Sequence, residues 1–317
     1  GGVVSARSGN TLTVHGATFL TFIPGNVGYT ATYANNATVT IGSATVVSED
    51  GVAASGLTPA AISVGQQLDV SGLGSVDTAG NITLDATAGQ VRLASTRIWG
   101  MLNSATAGSA SLDVLSLGNF APAGFNFAGT GSGGQSANPS AYALNTGSLN
   151  ERATAAGTLL QVQGIVNAFG SAPPDFTATA ITAGTATEQR LVVEWINGGA
   201  TAPFISDSSA GLVLDLNNAD LGTIHEIRTG PAALDLKTLP ASPLITTVGA
   251  DQTKLQLAIG GASLSTGVSV FNSISGFAGA LSSTFTGTNK IYRLVAVGQY
   301  NSGTNTFVAS RISVALV

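Results

Sequence analysis

The sequence predicts an all-β protein of about three tandem, divergent small β-barrel domains with OB-like geometry and short helical turns. Two observations predict this class. Polar and apolar residues alternate in short runs bounded by turn residues, and one strand-turn-strand arrangement recurs along the chain. Such alternation is typical of strands that bury one face. It is clearest in Thr11–His15, Ala37–Ile41, Asn81–Asp85 and Thr306–Ile312.

The recurring arrangement is an apolar strand that ends in glycine, a short hairpin and a second alternating strand. Its three copies divide the 317 residues into predicted units 1–97, 98–183 and 184–317. Five or six strands in each unit suit a small closed or partly open barrel. The copies are Leu68–Gly72 with Leu84–Ala86, Leu160–Gly164 with Phe176–Ile181, and Leu294–Gly298 with Phe307–Ile312.

Helical periodicity is nearly absent, and short helical turns are predicted only at Pro59–Ser63, Leu149–Ala156 and Phe277–Ser283. The third copy of the repeat differs from the second in one respect. It has Val295 and Val297 where the second copy has glutamines on its outward face. This strand is therefore apolar on both faces, and we expect a neighbouring element or another subunit to cover it.

The composition excludes several classes of protein. Hydrophobic residues make up 44% and charged residues 9%, with a net charge of −5 and a mean hydropathy of +0.35, so intrinsic disorder is not expected. No apolar run approaches the length of a transmembrane helix. Only 11 Lys and Arg are scattered along the chain, so nucleic acid is not an expected partner.

The sequence indicates the cellular location of the protein less directly than its fold class. There are no cysteines, which excludes disulfides and thiolate metal sites without fixing the compartment. The charge-poor, Thr/Ser/Gly-rich composition favours a location outside the cytoplasm. The chain opens on Gly1 and Gly2 without a signal peptide, as expected of a processed mature product or of a trimmed chain.

A set of turn glycines and alternating aliphatic residues runs through the first unit, and the other units share it only at their closing hairpins. In the first unit it comprises Val3, Ser5, Gly9, Asn10, Leu12, Val14, Gly16, Val64, Gly65, Leu68, Val70 and Gly72, with a return through Thr96, Arg97 and Ile98. This pattern resembles a bacterial family of unknown function. Its members are small OB-like β-domains, often repeated in secreted or lipid-anchored envelope proteins. The resemblance implies an envelope or extracellular setting, and it brings no catalytic residue to carry over.

The chain has two histidines, the usual general bases near neutral pH. His15 ends an alternating strand beside Gly16, and His225 lies within another alternating run. Each is better explained as a strand residue than as a catalyst. Neither accompanies a Gly-x-Ser-x-Gly nucleophile elbow. We therefore predict that the protein is not an enzyme and uses no cofactor.

One stretch is rich in oxygen ligands. Asp207, Asp215 and Asp220, with Asn217 and Asn218, have a spacing that could hold Ca²⁺. The alternative is that these residues lie at strand ends and turns, where Asp and Asn bond to the local backbone. The sequence leaves calcium binding open and favours the turn interpretation.

Aromatic and glycine motifs offer two further candidates. Trp99 and Trp195 each lie in the strand that opens a unit, which indicates core or interdomain packing or else a sugar-stacking platform. The run Gly129–Gly134 has the glycines of a phosphate loop, but no lysine or helical pattern follows it. A surface loop is the better explanation of that run.

These observations favour a structural subunit of an extracellular filament or bacterial cell-surface assembly. Both termini are strand-like and carry one charge, Arg7, so we predict a homopolymer formed by pairing of terminal or edge strands. The alternative is an envelope-attached module that binds a polysaccharide or a surface protein. The residues predicted to self-associate are Val3, Val4, Leu12, Val14, Val295, Val297, Val314 and Leu316.

Overall fold

The computed structural model describes residues 1–22, 29–50, 56–149, 154–249, 253–259, 267–284 and 289–316. Most of the described residues lie in strands, and the sheets are barrel-like, which confirms the all-β prediction. The chain divides into two compact units, 1–183 and 184–317, which are described separately. The finer division at residue 97 stays a prediction.

The first sheet of unit 1 closes on itself. Its strands follow the order β3-β2-β1-β5-β6-β4, and β3 also pairs in parallel with β6, so β1, β2, β3, β6 and β5 form a ring. Alternating side chains such as Leu12 and Val39 fill the ring, because each strand turns one face inward. The strands are β1 (Gly2–Ser8), β2 (Thr11–Phe22), β3 (Tyr29–Thr40), β4 (Val46–Glu49), β5 (Gln67–Val76) and β6 (Ile82–Ala94).

The second sheet of unit 1 is a closed barrel in the order β10-β11-β9-β8-β7. Pairing is antiparallel except between β9 and β11, which run parallel. The strands are β7 (Thr96–Thr106), β8 (Ser109–Leu117), β9 (Tyr142–Asn145), β10 (Leu159–Val166) and β11 (Phe176–Ala183).

Unit 2 contains an open sheet in the order β13-β14-β17-β21-β20-β12-β15-β16, and β18 joins it by pairing with β21 and β19. Helix α1 (Ile274–Thr284) packs Phe277, Ala278 and Leu281 into the core. The strands are β12 (Gln189–Trp195), β13 (Phe204–Ser208), β14 (Gly211–Leu214), β15 (Leu221–Thr229), β16 (Ala232–Asp235), β17 (Leu244–Thr247), β18 (Lys254–Ile259), β19 (Val268–Phe271), β20 (Ile291–Asn301) and β21 (Thr306–Leu316).

The predicted helical turns have three different outcomes. Pro59–Ala61 forms a short 3-10 turn, and the predicted turn at Phe277–Ser283 lies inside α1. Part of the predicted turn at Leu149–Ala156 falls outside the described residues. Among the described residues, no helix has the length and apolar character needed to cross a bilayer.

The glycine that ends each copy of the repeat has one structural role. Gly72, Gly164 and Gly298 each lie at a register shift in an antiparallel hairpin. A methyl group at any of them would lie 2.0–2.3 Å from a carbonyl oxygen of the returning strand. The repeat therefore marks a bulge at which two backbones approach more closely than a side chain allows.

A buried glutamine joins the two sheets of unit 1. The Gln66 amide oxygen accepts the Val166 N–H at 2.9 Å. Its amide nitrogen donates to the carbonyl oxygens of Ala94 and Gln67 at 2.6 and 2.7 Å. Gln66 is fully buried, and its bonds satisfy a buried N–H of Val166 and two partly buried carbonyl oxygens. The end of β10 is thereby held to the first sheet.

The prediction that the terminal strands leave free edges is wrong. β1 pairs with β2 on one side and β5 on the other, and β21 lies between β20 and the pair β17 and β18. Strands distant in sequence return to pair with β1 and β21, so a terminal strand is not a spatial edge. Of the predicted self-association residues, Val295 is half-buried, and those buried within the chain are Val3, Val4, Leu12, Val14, Val297, Val314 and Leu316.

Candidate self-association surface

The open sheet of unit 2 has free edges in other places. Among the described residues, β13, β16 and β19 each pair on one side only. Asp207 on β13 accepts a hydrogen bond from Ser282 of α1 at 2.6 Å, and Asp235 on β16 lies 3.2 Å from the ring of His225. Charged side chains are a common means of protecting an edge from pairing with another chain. Strand β19 carries no charged side chain.

Strand β19 presents two valines to solvent. Its register with β18 sets Phe271 opposite Leu255, which is buried, so Phe271 faces inward and lies 5.6 Å from Phe277 between ring centroids. Alternation then turns Val268 and Val270 outward, where they are 60% and 63% exposed. β-Branched residues at these positions favour the strand conformation without burying their side chains within the chain.

The residues directly opposite these valines are also uncharged. Val268 and Val270 lie opposite Ala258 and Gln256 of β18. Gln256 in turn accepts a hydrogen bond from Ser313 of β21 at 3.3 Å. The same face becomes charged two residues beyond Gln256, where the exposed Lys254 lies opposite Arg311 of β21. The edge itself and the residues opposite it are therefore neutral and partly apolar.

Sequence reasoning missed this strand, although a signal was present. From Leu255 to Asn289 the chain contains no Lys, Arg, Asp, Glu or His. A long uncharged segment with an alternating Val-Ser-Val run is typical of an unprotected edge strand. The edges of a sheet are determined by long-range pairing, which the local pattern of a strand does not report.

His15 holds elements of unit 1 together. Its Nδ1 lies 3.2 Å from the Asn35 carbonyl oxygen, and its Nε2 lies 3.0 Å from that of Gly124. The ring stacks on Phe120 with centroids 5.4 Å apart. Both ring nitrogens thus meet backbone oxygens of the same unit, which agrees with the interpretation of His15 as a strand residue.

His225 has a similar arrangement. Its Nδ1 lies 2.9 Å from the Gly222 carbonyl oxygen, and its Nε2 lies 3.2 Å from Asp235 Oδ1. A nucleophile–base pair needs a hydroxyl or thiol on one ring nitrogen. Here one ring nitrogen faces the Gly222 carbonyl oxygen and the other faces the Asp235 carboxylate. The His225–Asp235 contact therefore joins β15 to β16 and lacks the hydroxyl or thiol contact of a catalytic triad.

The acidic residues of this stretch in unit 2 each bond to a different partner. Asp207 bonds to Ser282, Asp215 accepts the Asn217 N–H at 2.9 Å, and Asp220 accepts the Asn197 amide at 3.2 Å. In the described ranges, no three His, Asp or Glu side chains come together as a metal site would require. Only Asp215 makes the local backbone bond that the turn interpretation predicts, whereas Asp207 and Asp220 accept bonds from side chains distant in sequence.

One buried carboxyl group was also missed. Asp175 is 6% exposed, its Oδ2 accepts the Ala143 N–H at 2.7 Å, and burial raises its pKa. Burial and the charge of Asp175 likewise raise the pKa of Tyr142. Both side chains line a cavity of about 10 Å³, which has room for at most about one water molecule. The Asp175 carboxyl group therefore bonds to β9 from the segment before β11, and the cavity is too small for an organic ligand.

The remaining candidates have structural positions. Trp99 and Trp195 are buried in their sheets, so neither ring is available to stack on a sugar. The glycine run ends in a short 3-10 turn, Ser132–Gly134, rather than at a long helix. This arrangement lacks the helix N-terminus that a phosphate loop uses.

Comparison of the chain with protein-family models, with curated protein sequences and with solved structures gives no match. The inference about function therefore depends on the geometry of the chain itself.

Proposed function

We propose that this chain is a structural subunit of a bacterial extracellular filament or cell-surface assembly, and that it self-associates through an edge strand. The observation that carries the proposal is strand β19, which pairs on one side among the described residues and exposes Val268 and Val270. An edge without charge or proline is a template for pairing with another chain. A chain with 9% charged residues also has little electrostatic repulsion to keep its copies apart.

The test is the size of the full-length protein in solution and under the electron microscope. We expect particles larger than the 31.3 kDa chain at neutral pH, with a mass that grows with concentration. Added salt is expected to leave them intact, because the contact is apolar and screening weakens only charge contacts. A chain that stays monomeric in light scattering at high concentration would overturn the proposal.

The proposed location outside the cytoplasm is supported by the charge-poor composition and by the resemblance of the first unit to envelope proteins. Protease treatment of intact cells tests it. We expect the native protein to be degraded while a cytoplasmic marker survives, and protection equal to that of the marker would contradict this location.

We also propose that the chain contains three OB-like units. The support is a shared pairing pattern in which the first strand pairs with the first strand of the closing hairpin and, on its other side, with the second strand in the first two units and with the fourth in the third. The last strand then runs parallel to an earlier one. These pairs are β1–β2, β1–β5 and β3–β6; β7–β8, β7–β10 and β9–β11; and β12–β15, β12–β20 and β17–β21. An experimental structure without the parallel pair in one unit would contradict the proposal.

A polysaccharide-binding module is the second candidate function. One observation favours it: Leu20 and Tyr33 are 57% and 66% exposed and lie diagonally across the β2–β3 pair on one face. An exposed tyrosine next to an apolar side chain can stack on a sugar ring. We expect a glycan-array signal that Tyr33→Ala removes, and an array without signal would eliminate this candidate.

A further inference from the structure

We propose that β19 pairs antiparallel with β19 of a second copy, in a two-fold contact centred on Ser269. The resulting dimer would be the building block of the assembly. This inference rests on the proposed function and names the partner at its edge strand. A two-fold contact closes on itself, so it forms dimers, and a filament then needs a different contact between dimers.

The faces of the strand restrict the register. Residues directly opposite each other in an antiparallel pair point to the same face of the sheet. Val268 and Val270 point outward, so each must meet an outward residue of the other copy. A contact centred on Ser269 sets Val268 opposite Val270 of the second copy, and Val270 opposite its Val268. Within each of these two cross-strand pairs, the valine of one copy then buries the valine of the other.

The inward face supports the same register. In the contact centred on Ser269, Phe271 of one copy lies opposite Gly267 of the other. Among the described residues outside its chain neighbours, no atom lies within 4 Å of the position that a Cβ on Gly267 would occupy, so the ring has room there. Covering a strand glycine with a cross-strand aromatic ring is a favourable pairing. A contact centred on Val270 would instead set Val268 opposite Asn272 and lose this fit.

Charge favours β19 over the other edges as the place where two copies meet. A two-fold contact brings each residue near its own copy, and like charges directly opposite each other destabilise a pair. Self-pairing of β13 or β16 would bring Asp207 or Asp235 towards its own copy. The segment from Leu255 to Asn289 brings no charge at all.

Paired charge variants test the contact and its register. Val268 and Val270 are exposed, so substitution there leaves the core of the unit intact. In V268K/V270K every outward pair contains two lysines, and we expect sedimentation equilibrium to show at least a tenfold weaker dimer. In V268K/V270E each introduced lysine faces an introduced glutamate of the other copy, and we expect the dimer to persist. Val46→Lys, at a valine of unit 1 that is 61% exposed, is the matched control and should behave as wild type.

A cysteine probe gives a second readout. The chain has no cysteine, so Ser269→Cys introduces a unique thiol. Directly opposed residues of an antiparallel pair have Cα atoms about 4.5–5.5 Å apart, within the range that a disulfide spans. We expect a covalent dimer on mild oxidation for Ser269→Cys, and little for Val46→Cys.

The outcomes separate this inference from the proposed function. A V268K/V270K dimer as tight as wild type overturns the contact, and equal loss of the dimer in both double variants overturns the register. Wild-type dimers that never form larger particles would contradict the proposed assembly and leave the β19 contact standing. Large wild-type particles that V268K/V270K forms equally well would overturn the contact and leave the assembly standing.

Discussion

The guanidinium carbon of Arg7 lies 4.7 Å from the centroid of the Phe169 ring. The same side chain donates hydrogen bonds to the carbonyl oxygens of Gly9 and Pro59, at 3.0 and 2.8 Å, and to that of Ile62. Arg7 starts from a strand of the first sheet, and Phe169 follows β10 of the second. The charged side chain of β1 therefore ties parts of unit 1 together, and it does not protect a free edge.

Arg7→Lys is expected to destabilise unit 1 by about 1–3 kcal/mol. A lysine keeps the charge but cannot present the planar fork that reaches several carbonyls and stacks on a ring. Trp99 is buried in unit 1, so its fluorescence during urea unfolding reports the change when Trp195 is replaced by phenylalanine. Arg97→Lys, at an exposed arginine of the same unit, is the control and should shift stability by less than about 0.5 kcal/mol. Equal effects at both positions would contradict the role assigned to Arg7.

Gln66→Met is expected to destabilise unit 1 by about 2–4 kcal/mol. The substitution keeps the volume but leaves buried backbone groups of Val166 and Ala94 without their side-chain partner, and each such loss costs about 1–3 kcal/mol. The same unfolding experiment measures the effect. Gln90→Met, at an exposed glutamine of β6, is the matched control. A change as small as that of the control would show that water or a shifted backbone replaces the lost bonds.

Asp175→Asn is expected to gain stability relative to wild type as the pH rises. Burial raises the pKa of Asp175 above its ordinary value of 3.8, so the folded chain binds this proton more tightly than the unfolded chain does. Wild type therefore loses stability as the pH rises through the folded-state pKa, whereas asparagine does not titrate and can still accept the Ala143 N–H. Urea unfolding at a series of pH values from acid to neutral measures the difference. A difference that stays constant across the series would contradict the pKa shift.

Gly298→Ala is expected to destabilise unit 2 by about 1–3 kcal/mol. Its methyl group would lie 2.0 Å from the Val308 carbonyl oxygen, so the bulge must open to admit it. Gly279→Ala is the control within the same unit. Gly279 lies exposed in α1, and no described atom outside the helix backbone lies within 4 Å of its Cβ position, so alanine there should stabilise the helix by about 0.5–1 kcal/mol. Trp195 fluorescence in a Trp99→Phe background follows both, and effects of the same sign would contradict the bulge explanation.

The sequence predicted the class of fold because alternation is a local property. Runs such as Thr11–His15 and Thr306–Ile312 are strands, since a strand with one buried face needs an apolar residue at every second position. The repeat was visible for a related reason. A bulge that admits only glycine leaves Gly72, Gly164 and Gly298 at corresponding places, whatever else diverges.

The candidate site could not be predicted in the same way. Val3 and Val314 lie in the terminal strands, where the sequence predicts free edges, yet both are buried. Val268 and Val270 lie outside the terminal strands and are exposed. The neighbours of a strand depend on which distant segments return to it. Local periodicity reports that a strand has two faces, but it does not report which of its two edges is already paired.

The amino-acid sequence by itself determined that this chain is all-β, poor in charge, free of cysteine and built around a repeated glycine-ended hairpin. The tertiary structure alone shows that both terminal strands are paired on each side, that Arg7, Gln66 and Asp175 link elements within unit 1, and that β19 is an uncharged edge among the described residues. The physical reason is that strand and turn propensities act over a few residues. Edges, burial and hydrogen-bond partners are set by pairings between segments far apart in the chain.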